Sequence, residues 1–304
     1  MRIASLLASA TEMVCALGLE ESLVAISHEC DFPPEVLDRP RITRARFDPE
    51  VLDGAGIDRA VREALAEHGA VYQIDQAGLQ TAAPDLILTQ GVCEVCAVPV
   101  ALAEEAVCGL DRRARVLSLD AHDVRGILAS IGDVGAAAGA TATAERVVAA
   151  LRARMEAVAH RVAGADRPRV LAVEWLDPLY IPGHWVPEMV ALAGGEMLVG
   201  SAQRRSEAVP WDRVVDLDPD VLVVMPCGYG LARSRAEANA YADQLRAAAP
   251  RAVSTGRAWV VDGSSYFNRS GPRVADGVEI LGRLLHPDRL PDVALEGRAE
   301  PWPA

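Results

Sequence analysis

Lysine is absent from this chain: all 30 basic side chains are arginine, set against 43 acidic ones. The net charge of −13 argues against nucleic acid as a partner, since binding a phosphate backbone needs a basic face. Without lysine there is no Gly-rich phosphate loop of the kind that ends in Lys. No G-x-S-x-G elbow occurs either, and no nucleophile, base and orienter assemble along the chain. The missing lysine reads most simply as the base composition of the gene. Aromatic residues make up only 4%, so each one carries weight. No apolar run reaches the about 18 residues needed to cross a bilayer. The opening residues Met1 to Leu7 enter a strand directly, without a charged segment, a long apolar stretch and a small-residue cleavage site. No cysteine for a lipid anchor stands near the start. The expectation is a cytoplasmic chain, in which thiols stay reduced or bind metal.

What is present is an ordinary globular composition, 51% hydrophobic over 304 residues, enough for two lobes with cores of their own. Strand and helix patterns alternate, which predicts α/β architecture. The reading is an N-terminal α/β lobe over 1–122, a connecting helical region over 123–165, a C-terminal α/β lobe over 166–289 and a Pro-rich, loosely attached tail over 290–304. Ser9 or Thr11 is expected to cap the first helix, with Glu12 in its first turn. Residues 143–162 have helical apolar spacing and stop at Gly164. Residues 236–248 read as one helix. Cys15 reads as a core thiol.

Two short cysteine motifs follow buried-strand signals. Ser27-His28-Glu29-Cys30 comes after Leu23-Val24-Ala25-Ile26, and Cys93-Glu94-Val95-Cys96 comes after Leu86-Ile87-Leu88-Thr89. A fourth thiol, Cys227, follows Val221-Leu222-Val223-Val224 in the second lobe. Loops after the carboxyl ends of parallel strands line the ligand crevice of open α/β sheets. Cys30, Cys93 and Cys96, with His28, His184 or Cys227 as the fourth ligand, therefore offer candidate ligands for zinc or an iron–sulfur cluster. Ordinary packed thiols and a redox pair remain open alternatives, as does a nucleophilic pairing of Cys93 with His184. Gly183-His184-Trp185 precedes a Pro-started helix, which places the imidazole at an exposed edge. Trp175, Trp185 and Tyr266 suit a flat ligand, or simply pack. Glu29, Glu94, Glu174 and Glu188 share the same loops and can meet a cation or an arginine.

The opening Ile3-Ala4-Ser5-Leu6-Leu7-Ala8-Ser9-Ala10-Thr11-Glu12, with Asp31-Phe32-Pro33-Pro34, Gly194-Gly195-Glu196, Val209-Pro210-Trp211 and Ser270-Gly271-Pro272-Arg273, resembles the class III periplasmic solute-binding proteins. That resemblance implies two Rossmann-like lobes joined by a single long backbone helix, with the ligand held between them. It implies a cobalamin, ferric siderophore, haem or metal ion as ligand and an ABC transporter permease as partner, should the chain be exported. The match is nearest to the cobalamin-binding type, in which aromatic residues contact the corrin; Tyr266 takes the place of one, and Glu29 stands where another is expected. The expected function is a binding protein for a corrinoid or related metal-bearing ligand, without chemistry of its own. His28, Glu29, Trp175, His184, Trp185, Glu188, Tyr266 and Arg273 are its candidate contacts, with His28 or His184 able to donate an axial imidazole to cobalt. The alternative is a cytoplasmic metalloprotein or enzyme built on the cysteine set.

Overall fold

The computed structural model of the chain describes residues 1–92 and 97–302. It divides into two units: Met1–Ala121, Arg125–Ala149 and Ser270–Pro272 form the first, and His122–Val124, Ala150–Arg269 and Arg273–Ala304 the second. Among the described residues no helix is long and apolar enough to cross a membrane.

The first unit runs β1 (Ile3–Ser5), α1 (Ala8–Ala16), β2 (Leu23–Ala25), β3 (Thr43–Ala45), α2 (Gly54–His68), β4 (Tyr72–Ile74), α3 (Gln76–Ala82), β5 (Leu86–Thr89), α4 (Val100–Cys108), β6 (Arg115–Ser118) and α5 (Val124–Ala137). Its main sheet has the order β2-β1-β5-β6 and is parallel throughout, with Ile3 opposite both Leu23 and Leu86. Every residue of β5 is buried, which explains its unbroken apolar run: a parallel strand covered on both faces has no reason to alternate. Leu6, Ile42, Leu79, Ile87 and Val98 pack into one core, each side chain contributing about 1.5–3 kcal/mol of transfer free energy. Helix α2 starts at Gly54, where Asp53 caps it by accepting the Gly56 N–H at 2.8 Å. Its end is Gly69, at φ +68°, where the left-handed backbone favours glycine.

Helix α1 departs from expectation. Its N-cap is Leu7, with no side-chain cap. Ser9, Thr11 and Glu12 turn inward instead, all buried: Ser9 Oγ lies 3.4 Å from Ser270 Oγ, and Thr11 Oγ1 lies 3.0 Å from Cys30 Sγ. Partners from distant parts of the chain outcompete the local capping bond. Cys15 is half-buried rather than enclosed. The 123–165 stretch breaks at Gly139 (φ +73°) into α5 and α6 (Thr141–Val162). Helix α6 starts within the first unit and finishes within the second.

The second unit continues β7 (Arg169–Val173), β8 (Trp175–Leu176), β9 (Leu179–Ile181), α7 (Val186–Leu192), β10 (Glu196–Met197), β11 (Glu207–Ala208), α8 (Asp212–Val215), β12 (Val221–Val224), α9 (Leu231–Ala240), α10 (Ala242–Ala248), α11 (Pro250–Ser254), β13 (Ala258–Val261), α12 (Gly263–Tyr266), α13 (Val274–Leu285) and β14 (Ala299–Pro301). The sheet order is β10-β7-β12-β13-β14, with only β14 antiparallel to its neighbour. A small antiparallel sheet, β11-β9-β8, stands beside it. Two expectations are corrected here. The helix over 236–248 is two helices that meet at Tyr241, where φ −108° and ψ 28° leave the helical region. The tail is not loose: β14 pairs with β13, and Trp302 is 3% exposed within the core of this unit. An apolar indole that completes a sheet edge outweighs the low helix and strand propensity of its prolines.

Candidate ligand-binding residues at the strand ends

In the first unit, the loop after β2 carries His28, Glu29 and Cys30. Thr43 anchors it: its Oγ1 lies 3.0 Å from Ser27 Oγ, accepts the His28 N–H at 3.0 Å and contacts His28 Nδ1 at 2.7 Å. This leaves His28 Nε2 directed at Glu29, 3.1 Å from Oε1, with the Tyr72 ring 5.1 Å away at 60°. Arg41 Nη1 donates to the carbonyl oxygens of Ser27 (3.3 Å), His28 (2.7 Å) and Cys30 (3.0 Å). One guanidinium thus gathers three carbonyls that no strand partner would satisfy. Cys30 is 1% exposed, its thiol against Thr11. After β5, Gly91 donates its N–H to Asp120 Oδ1 at 2.6 Å, and Ser118 Oγ donates to the same oxygen at 2.7 Å. Cys93 and Cys96, together with Glu94, lie outside the described residues.

In the second unit, β7 is followed by Glu174 and by Trp175, the first residue of β8. The Glu174 carboxyl accepts from Ser206 Oγ at 2.6 Å, and Ser206 in turn accepts the Gly183 N–H at 3.1 Å. Desolvation pushes the Glu174 carboxyl above its ordinary value, and the Ser206 hydrogen bond pulls the other way. Trp175 donates Nε1–H to the Asp177 carbonyl at 3.2 Å, and its ring stands 5.0 Å from that of Tyr229 at 54°. The Arg233 guanidinium carbon sits 4.1 Å over the Tyr229 ring, a cation–π contact. Cys227, half-buried after β12, donates its backbone N–H to the Glu174 carbonyl at 3.0 Å.

His184 adopts φ +50°, a conformation uncommon for a residue with a side chain. A Cβ on the preceding Gly183 would overlap the Arg204 carbonyl oxygen, so only glycine lets the two segments approach. The ring is half-buried rather than at an open edge, and among the described residues its Nδ1 is buried without a hydrogen-bond partner. Burial pushes the imidazole below its ordinary value, helped by His122 and Arg205. Trp185 is 9% exposed and spends its only N–H on the Phe267 carbonyl at 2.7 Å. Glu188 accepts the Val124 N–H at 2.9 Å, capping α5 from 64 residues away. Tyr266 has two guanidiniums against its ring, Arg273 and Arg298, each 5.6 Å from the centroid.

His28, Glu29 and Cys30 therefore share one loop of the first unit. Trp175 and Cys227 meet through Glu174, His184 adjoins Trp185 at 5.5 Å, and Tyr266 pairs with Arg273, all within the second unit. Among the described residues no group of three or more His, Cys, Asp or Glu side chains is placed to hold a metal ion. Sequence reasoning missed Thr43, Arg41, Ser206 and Tyr229. Of these only Tyr229 left a signal, an aromatic between two glycines directly after a buried strand.

The comparisons with known proteins agree with this architecture. The family described as "Periplasmic binding protein" matches residues 3–257. No curated protein sequence matches. The fold is similar to that of the periplasmic vitamin B12 binding protein BtuF of Vibrio cholerae, at 21% identity and a TM-score of 0.67 over 93% of this chain and 96% of that one. It is similar to a periplasmic heme binding protein from Pseudomonas aeruginosa, at 21% identity and 0.71 over 94% and 93%. It is similar also to the periplasmic heme-binding protein RhuT from Roseiflexus sp. RS-1, at 20% identity and 0.69 over 95% and 98%.

Proposed function

Because the chain belongs to the periplasmic binding protein family, we propose that this solute-binding protein takes a metal-bearing tetrapyrrole, a corrinoid in the first instance and haem as the alternative. The observation that carries this is coverage: proteins named for vitamin B12 and for heme share the fold over more than nine-tenths of this chain. The residues at the strand ends support it chemically. Trp175 and Tyr266 supply flat faces, and imidazoles at His28 and His184 suit cobalt or iron. His28, Glu29, Trp175, His184, Tyr266 and Arg273 are the proposed contacts. Trp185 and Glu188 act by holding the His184 segment in place.

The reading includes an ABC permease as partner, which requires the chain on the outer side of the membrane. The cytoplasmic location expected from the opening residues is the competing proposal, and fractionation of native cells separates the two. The ligand is tested by visible-absorption titration of the purified protein with aquocobalamin and, separately, with hemin. A saturable band shift at one equivalent of aquocobalamin supports a corrinoid binder; a shift with hemin alone selects the alternative. No shift with either, together with zinc or iron already bound to the isolated protein, overturns the tetrapyrrole reading and moves the cysteine set to the centre.

A further inference from the structure

Two histidines of the second unit come together from distant parts of the chain. His122, exposed, precedes α5, and His184 precedes α7; their ring centroids are 6.2 Å apart with planes inclined at 30°. The segments that carry them are tied at two points. Gln203 donates its backbone N–H to the His184 carbonyl at 2.9 Å and its side-chain amide to Asp123 Oδ2 at 2.9 Å, while Glu188, one turn into α7, caps α5. His184 is held at φ +50° by this arrangement, and its backbone N–H donates to the Arg204 carbonyl at 2.6 Å. Strained backbone persists where its surroundings over-determine it, and such places concentrate at binding sites.

We propose that His122 and His184 form a two-imidazole site for a borderline divalent metal ion of the nickel, copper and zinc group. Imidazole is the preferred neutral ligand of these ions. With metal–nitrogen bonds of about 2.0–2.1 Å, two rings on one ion place their centroids roughly 5–6.3 Å apart, and the observed separation falls within that span. The Nδ1 of His184 is a buried nitrogen lacking any hydrogen-bond partner among the described residues, which is what a ligand atom looks like before its metal arrives. Asp123 and Glu188 are engaged with Gln203 and Val124, and so hold together the two segments that carry the imidazoles. The site does not depend on the tetrapyrrole reading, because its probe is the metal alone.

The test is calorimetric titration of the full chain with Ni²⁺ at pH 7.5, its thiols alkylated beforehand so that Cys93 and Cys96 do not compete. One ion per chain is expected. His122→Ala changes an exposed residue and should weaken binding at least about tenfold. His184→Asn should do the same, asparagine being tolerant of the left-handed backbone. Absence of Ni²⁺ binding in the unaltered chain, or undiminished affinity in His122→Ala, overturns the site. The aquocobalamin and hemin titrations are run on His122→Ala, which leaves every proposed tetrapyrrole contact in place, so failure of the metal site and failure of the tetrapyrrole reading are told apart.

Discussion

Arg41 Nη1 lies 2.7 Å from the carbonyl oxygen of His28 and reaches the carbonyls of Ser27 and Cys30 as well. The loop that presents His28 and Glu29 is therefore held by side chains 13 to 16 residues away, Arg41 and Thr43, as well as by the bond from the Glu29 N–H to Ser27 Oγ. Arg41→Ala should lower the unfolding free energy by about 1–3 kcal/mol, the cost of leaving part-buried carbonyls without their charged donor. Urea denaturation measures this. Unchanged stability would mean water replaces the guanidinium at no cost.

Glu174 makes a pH-dependent contribution whose sign is set by its raised folded-state value. The protonated carboxyl suits the buried site. Its stabilising contribution is complete below the unfolded value and is lost as pH rises through the folded one. Glu174→Gln keeps a group that can accept from Ser206 and has no charge to bury. The variant should melt above the unaltered protein at pH 8 and together with it at pH 4. Thermal melts across that range decide it; a variant less stable at pH 8 would show that the ionised carboxylate is the favoured form.

Trp302 fills the core of the second unit and donates Nε1–H to Asn239 Oδ1 at 3.0 Å, with Arg246 over its ring at 5.7 Å. Trp302→Ala removes a buried indole and leaves a cavity, at a cost of about 3–5 kcal/mol. Equilibrium denaturation reads the loss. A difference under about 1 kcal/mol would return the tail to the status of a loose appendage.

Thiol reactivity should rank by environment. Burial, reinforced by Glu20 and other nearby groups, pushes the Cys15 thiol up to about 12, so almost no thiolate is present at pH 8. Cys30 is enclosed and Cys108 is exposed. In the native protein at pH 8, iodoacetamide should label Cys108 well ahead of Cys15 and Cys30, and all three should react after denaturation. Peptide mass spectrometry follows each site; early labelling of Cys15 would contradict its burial.

The elements legible in the sequence are those whose cause is local. Leu86–Leu88 and Val221–Val224 declare buried parallel strands because both faces are covered, and their apolar runs need no knowledge of which strands lie alongside. Asp75 ahead of α3 and Gly69 behind α2 mark helix ends by the backbone groups they satisfy or the φ they permit. From these pieces the α/β character, the alternation and the placement of His28, Trp175 and Tyr266 after strands all follow. The capping expectation at Ser9 failed for the same reason that those succeeded: a local rule holds only where no distant partner offers a better bond.

Tertiary structure decided whatever depends on two distant segments meeting. Glu188 caps a helix 64 residues away, Trp302 closes a sheet edge from a proline-rich tail, and Ser270 meets Ser9 across 261 residues. Nothing in the spelling of either partner announces such pairs, since each bond offsets the desolvation of its two groups only once the fold has brought them together. His122 is the clearest case: in the sequence it is one polar residue before a helix, and only the bonds that tie residues 122–124 to the His184 segment set it beside a second imidazole. Strand and helix identity, set by neighbours along the chain, was written in the sequence; the company each functional side chain keeps was set by which surfaces had to be buried together.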